Sequence, residues 1–230
     1  TMPRWADRQG KQHSFVPMAI VGEKRWETRF AFYLDTGPLF LVFAGLMDAE
    51  DELMRSTLRW FREGPQTRLA RYGSVAWQVP SLFHEVSSCE PMFSWNVFHS
   101  HQLGDRPRFL EGMYSLFGAA VSRKTFTFCE ERDGVTGMIP ALLPFYLARL
   151  AVVDDQLSED ELHLLRMVPA AWLQPGTESS FNNMPTEFGP VTLRTKLTRA
   201  DGGLRISFAP RFNIVPKRIV LHVPPVSGLR

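Results

Sequence analysis

Met138-Ile-Pro-Ala-Leu-Leu-Pro-Phe-Tyr-Leu-Ala-Arg-Leu-Ala-Val-Val153 is almost wholly apolar, Asp154-Asp155 breaks the run, and Ser158-Glu-Asp-Glu161 follows. An apolar stretch of this length fits a helix buried on most sides. Ser158-x-x-Glu161 has the spacing of a capping box, in which the Ser and Glu side chains satisfy the first free N–H groups of a helix. It predicts a short helix from there to Val168. The unit is therefore a buried helix, an Asp-bearing turn and a second helix.

The same grammar occurs twice upstream. Leu39–Met47 is nearly all apolar, and Asp48 is placed to cap Ala49–Arg62. Along that segment Leu53, Thr57, Trp60 and Phe61 mark one face, with Glu50, Asp51, Glu52, Arg55 and Arg59 on the other. Gly64-Pro65 ends it. Pro91–Gln102 is rich in aromatics, Leu103-Gly104 turns, and Asp105 caps Arg106–Val121. There Phe109, Met113, Leu116, Phe117 and Ala120 share the face to be buried. The units recur at roughly 50-residue intervals, the period of paired-helix repeats. Each hairpin buries one side only, so the repeats are expected to stack or close into a ring. Ahead of them, Thr1 to Lys24 reads as an irregular lead-in, and Trp26, Phe30, Tyr33 and Leu34 carry the spacing of an amphipathic helix.

After Pro169 the helical period disappears. Val191–Leu197 and Leu204–Phe208 alternate apolar and polar residues, with the hairpin signal Asp201-Gly202-Gly203 between them. Arg218–Val223 reads as another strand. The expected fold class is mainly α with a small β module: helical hairpins over residues 1–168, then a short antiparallel sheet over 169–230.

Composition narrows the function classes. A hydrophobic fraction of 44% and a charged fraction of 22% are those of a globular protein. Basic residues number 26 against 24 acidic, without a basic stripe, so nucleic acid is a poor candidate for a partner. The apolar runs are too short or too interrupted to predict a membrane span, and the compartment stays open. Cys89 and Cys129 form neither a metal spacing nor a disulfide framework. No phosphate loop, dinucleotide fingerprint, zinc motif or serine elbow is present, so no cofactor and no metal is expected. His99 and His101 stand two apart on an expected helix, hence on different faces.

What remains is carboxylates beside aromatics. Glu130 and Glu131 follow Phe126, Phe128 and Cys129; His84 and Glu85 follow Phe83, with Glu90 nearby; Asp35 precedes Gly37-Pro38. Glycoside hydrolysis needs two carboxyl groups across the scissile bond, one of them with a raised pKa, and apolar surroundings raise it by desolvation. Glu130 is best placed for this. The plainer reading pairs Glu130 with Arg123 or Arg132 at a helix cap. Trp residues supply flat ring faces for sugars, and equally for a core.

Thr125-Phe-Thr-Phe-Cys-Glu-Glu-Arg132 resembles the Thr-x-x-Trp-Glu turn of six-hairpin (α/α) toroid glycosidases, such as the α-L-rhamnosidase-like enzymes. Leu164–Leu173 followed by Pro185-Thr-Glu-Phe-Gly189 is similar to the junction where those toroids pass into a closing sheet. The resemblance implies a glycoside hydrolase, of inverting type, with a carbohydrate substrate and Glu130 as one catalytic carboxylate. Cys129 stands where the family carries Trp. The acid is then expected from Asp35, Glu85 or Glu90, or from an N-terminal part of the same polypeptide preceding this piece. A groove lined by Trp5, Trp26, Trp77 and Trp95, with His84 and Glu131, would bind substrate. Two alternatives stand beside it: a non-catalytic carbohydrate-binding or scaffold protein, and a helical repeat that binds another protein.

Overall fold

Asp105 separates two helices and helps to start the second. In a computed structural model, which describes residues 2–17, 20–21, 24–25, 37–63, 95–120, 142–198 and 203–223, the chain divides into two compact units, Thr1–Phe145 and Tyr146–Arg230.

The first unit opens with a ribbon of β1 (Arg4–Ala6) and β2 (Gln12–Ser14), antiparallel, with Trp5 opposite His13. Asp7 organises the turn, its Oδ1 accepting from the N–H groups of Gln9 and Lys11. Its Oδ2 meets His13 Nε2 at 2.8 Å, and that bond holds the carboxyl down at about 2. A second, two-residue ribbon pairs β3 (Ile20–Val21) with β4 (Lys24–Arg25). The stretch read as an irregular lead-in therefore contains two ribbons.

The apolar run after Gly37-Pro38 makes α1 of only four residues (Phe40–Phe43). Gly45, at φ +67°, closes it: its N–H donates to Val42 O and that of Leu46 to Leu41 O, a Schellman ending. Leu39 and Val42 are buried, whereas Phe40, Phe43 and Leu46 are exposed. The expectation of a helix buried on most sides is corrected accordingly.

Next, α2 (Glu52–Glu63) starts three residues later than expected, because Asp51 rather than Asp48 caps it through Leu53 and Met54 N–H. Met54, Thr57, Leu58 and Phe61 are buried. Thr57 Oγ1 donates to Leu53 O and accepts from Val16 N–H, which ties the helix to the end of β2. Phe15 stacks on Trp60 at 4.5 Å.

Helices α3 (Trp95–Gln102) and α4 (Arg106–Ala120) form the middle hairpin as expected. Asp105 Oδ1 accepts from Arg108 N–H, and Phe109, Met113 and Leu116 are buried. The two helices approach closely at Gly112, where an added Cβ would lie 2.5 Å from Val97 Cγ2. Gly112→Ala is therefore expected to cost about 1–3 kcal/mol by overpacking. A double-mutant cycle with Val97→Ala should show the two changes offsetting one another.

Helix α5 (Leu142–Val152), most of which belongs to the second unit, runs directly into β5 (Val153–Asp154). The segment after Ser158 is not a helix. Glu161–Leu164 is strand β6, antiparallel to β5 and parallel to β10 (Arg218–Leu221). Leu162, His163 and Leu164 are all buried, so the segment has no polar face for a surface helix to present, and ladder bonds on both sides satisfy its backbone. Glu161 reaches Arg218 and His163 instead of a helix end. Of the three expected hairpins, only the middle one is seen among the described residues.

After a 3-10 turn at Ala170–Trp172, β7 (Glu178–Met184), β8 (Val191–Leu197) and β9 (Leu204–Pro210) form an antiparallel sheet in the order β7-β8-β9. The alternation of β8 is borne out, with Val191, Leu193, Thr195 and Leu197 all buried. Strand β10 joins β6 rather than this sheet. The core gathers Val152, Val153, Leu162, Leu165, Val168 and Leu193. Residues 146–168, grouped by sequence with the helices, thus pack with the strands that follow them.

The fold class is corrected as a whole. Among the described residues about 33% are helical and 27% strand, in two ribbons and two three-stranded sheets, so the chain is mixed rather than mainly α. The helical expectation overshoots where capping-box spacing precedes strand β6 and where the run after Gly37-Pro38 keeps only four helical residues.

Candidate functional site

Trp95 and Trp5 are the members of the expected site that the structure describes. Glu130, Glu131, Asp35, Glu85, Glu90, His84, Trp26 and Trp77 lie outside the described residues. Trp5, expected along the groove, is instead buried, tilted against His13 at 5.2 Å with the Arg59 guanidinium 5.7 Å from its ring.

Trp95 begins α3, and its half-buried ring meets two phenylalanines of α1. Phe43 lies at 4.4 Å, tilted by 31°, and Phe40 at 5.0 Å, edge-on at 61°. Phe43 in turn sits edge-on to buried Phe98 at 5.1 Å. Phe40 and Phe43 remain 39% and 38% exposed, and Leu46 beside them is more exposed still. Sequence reading missed Phe40 and Phe43 because it buried the whole apolar run. The available signal was Gly45, which limits α1 to one turn and turns its outer side chains to solvent.

The rotation of α3 is fixed from within. Asn96, His99, Ser100 and His101 are fully buried on this short helix. His99 Nε2 meets Ala49 O at 2.9 Å, and Arg62 Nη2 donates to Ser100 Oγ at 2.7 Å and to Asn96 Oδ1 at 3.3 Å. Buried polar groups held this way resist rotation, since turning the helix would leave them unsatisfied. Trp95 is accordingly held at the edge, where its ring completes an aromatic face.

The second unit carries a chain of titratable groups. Glu161 Oε2 meets His163 Nε2 at 3.1 Å, and His163 Nδ1 meets His222 Nε2 at 2.9 Å. Arg218 is 2.5 Å from Glu161 Oε1 and, with help from His163, holds that carboxyl below the usual range. Deeper in the unit, Asp154 pairs with Arg166 at 3.4 Å and Asp155 with Arg149 at 2.9 Å. Among the described residues no three His, Cys, Asp or Glu side chains gather to hold a metal ion, and no helix is long and apolar enough to cross a membrane.

Comparison with protein-family models, with curated proteins and with solved structures returns no match.

Proposed function

We propose that the chain belongs to a carbohydrate-active protein that hydrolyses glycosidic bonds, with the aromatic face at Trp95 as a sugar-contacting surface. The observation that supports this reading is the exposure of Phe40 and Phe43 around Trp95. Clustered exposed rings mark a ligand or partner surface, and flat rings suit the C–H faces of pyranoses. In this reading Glu130 is the base of an inverting carboxylate pair, and Asp35 and Glu85 are the candidates within this chain for the acid. Glu131, His84, Trp26 and Trp77 contribute to substrate binding. Non-catalytic sugar binding at the same face is the second reading, since the ring cluster supports binding whether or not hydrolysis follows.

The test is reducing-sugar release from a panel of oligosaccharides by the full chain and by Glu130→Gln and Glu131→Gln. Loss of roughly 10²–10⁴-fold is expected for Glu130→Gln, the usual contribution of a general base, with binding retained. Equal activity in Glu130→Gln would remove its catalytic role. Binding without turnover in the unsubstituted chain would select the non-catalytic reading, and neither binding nor turnover would overturn both.

A further inference from the structure

We infer that His163 and His222 form an acid-sensitive latch holding β10 against β6, one that accommodates a single added proton and opens on the second. Glu161 Oε2 faces His163 Nε2 at 3.1 Å, and an ionised carboxylate can only accept, so that nitrogen carries a hydrogen. In the neutral pair His163 Nδ1 is therefore bare, and His222 Nε2 donates to it across 2.9 Å. The rings lie 5.2 Å apart and 28° from parallel. One extra proton keeps the bond, because either ring can become the imidazolium while one hydrogen still lies between the two nitrogens. A second proton places an N–H on both sides of the same gap, and two cations face each other.

The surrounding charges come from three places. Glu161 on β6 and Arg218 on β10 pair with one another beside His163. Asp154 on β5 pairs with Arg166, which follows β6. Burial lowers the proton affinity of His222, the charges of His163 and Arg166 lower it further, and Asp154 opposes them. His222 therefore binds a proton less readily in place than in a detached strand, whose value is the ordinary 6.5. Attachment is complete above that pH and is lost progressively as pH falls below it toward the depressed value. The backbone bond from His222 N–H to Leu164 O, at 3.0 Å, lies next to the latch and reports on its opening.

Amide exchange at Arg218–His222 in the full chain, corrected for intrinsic rates and referenced to β8, tests the latch between pH 7.5 and 5. Relative exchange is expected to rise severalfold at the lower pH, because His222 binds a proton less readily in the attached strand. His222→Gln, which can hydrogen-bond but does not titrate, should keep the protection at pH 7.5 and lose the pH response. An unchanged ratio in the unsubstituted chain, or a pH response surviving in His222→Gln, would overturn the inference. Ring-nitrogen NMR of the unsubstituted chain gives a reading independent of any variant. His222 is expected to take up its proton below its ordinary 6.5, and titration of His222 at or above 6.5 would contradict it.

Discussion

Asp155→Ala is expected to destabilise the C-terminal unit by about 3–5 kcal/mol, the cost of breaking a buried ion pair from one side. Asp155 is buried and fully engaged: Oδ1 takes Arg149 at 2.9 Å and Gln156 Nε2 at 3.1 Å, and Oδ2 takes the Glu187 N–H at 2.8 Å. Its removal leaves the Arg149 guanidinium with Pro185 O, at 3.1 Å, and Tyr146 but no carboxylate, and leaves the Glu187 amide without its acceptor. Arg149 also stands over the Tyr146 ring at 5.0 Å, and burial pushes that phenol up to about 12, so the ring stays neutral at ordinary pH. The carboxylate thus fastens α5 to the Pro185–Glu187 loop. Because the chain has two units, a single melting temperature would blend them. Amide exchange in β8 is the better measurement, with an acceleration of roughly 10²–10⁴-fold expected.

Gly189→Ala should act in the same unit, by about 3–4 kcal/mol, through backbone rather than charge. Gly189 has φ +117°, a region L side chains rarely enter, and a Cβ there would lie 2.5 Å from Arg211 O and 2.9 Å from Asn213 N. Both obstacles are main chain, so no rotamer change relieves them. The same strap is zipped on either side, by Arg211 N–H to Pro190 O at 2.8 Å and Asn213 N–H to Phe188 O at 2.8 Å. Moving it breaks those bonds and disturbs buried Phe188. Denaturant titration followed by exchange at β8 and β9 should show the loss, whereas Gly10→Ala, whose added Cβ meets nothing within 4 Å, should cost only the strain of its positive φ.

Where a segment's partners were local, its structure was legible in the sequence. Strand β8 alternates because one face is buried, and Asp105 announces α4 because a cap acts within three residues. The errors arose where distant partners decide. Ser158 and Glu161 have capping-box spacing, but Glu161 pairs in register with Arg218, far along the chain, and that ladder outweighs local propensity. Strand β7, Glu-Ser-Ser-Phe-Asn-Asn-Met, is a largely exposed edge with a register shift between Phe181 and Met184, so it carries little alternation to read. The ribbon at Trp5 carries a local signal of its own, Asp7 and Gly10 flanking its turn. Of the candidate site, Trp95 is named from sequence, whereas its companions Phe40 and Phe43 depend on where α1 stops, for which Gly45 is the one local signal.

A sugar at the Trp95 face is tested most directly by titrating oligosaccharides into the full chain and following the Trp95 indole resonance. Saturable shifts at Trp95 are expected, with affinity weakened by roughly tenfold or more in Trp95→Ala, about the value of one well-formed ring contact. Unchanged affinity in Trp95→Ala, or no shift at Trp95 with any sugar of the panel, would contradict it.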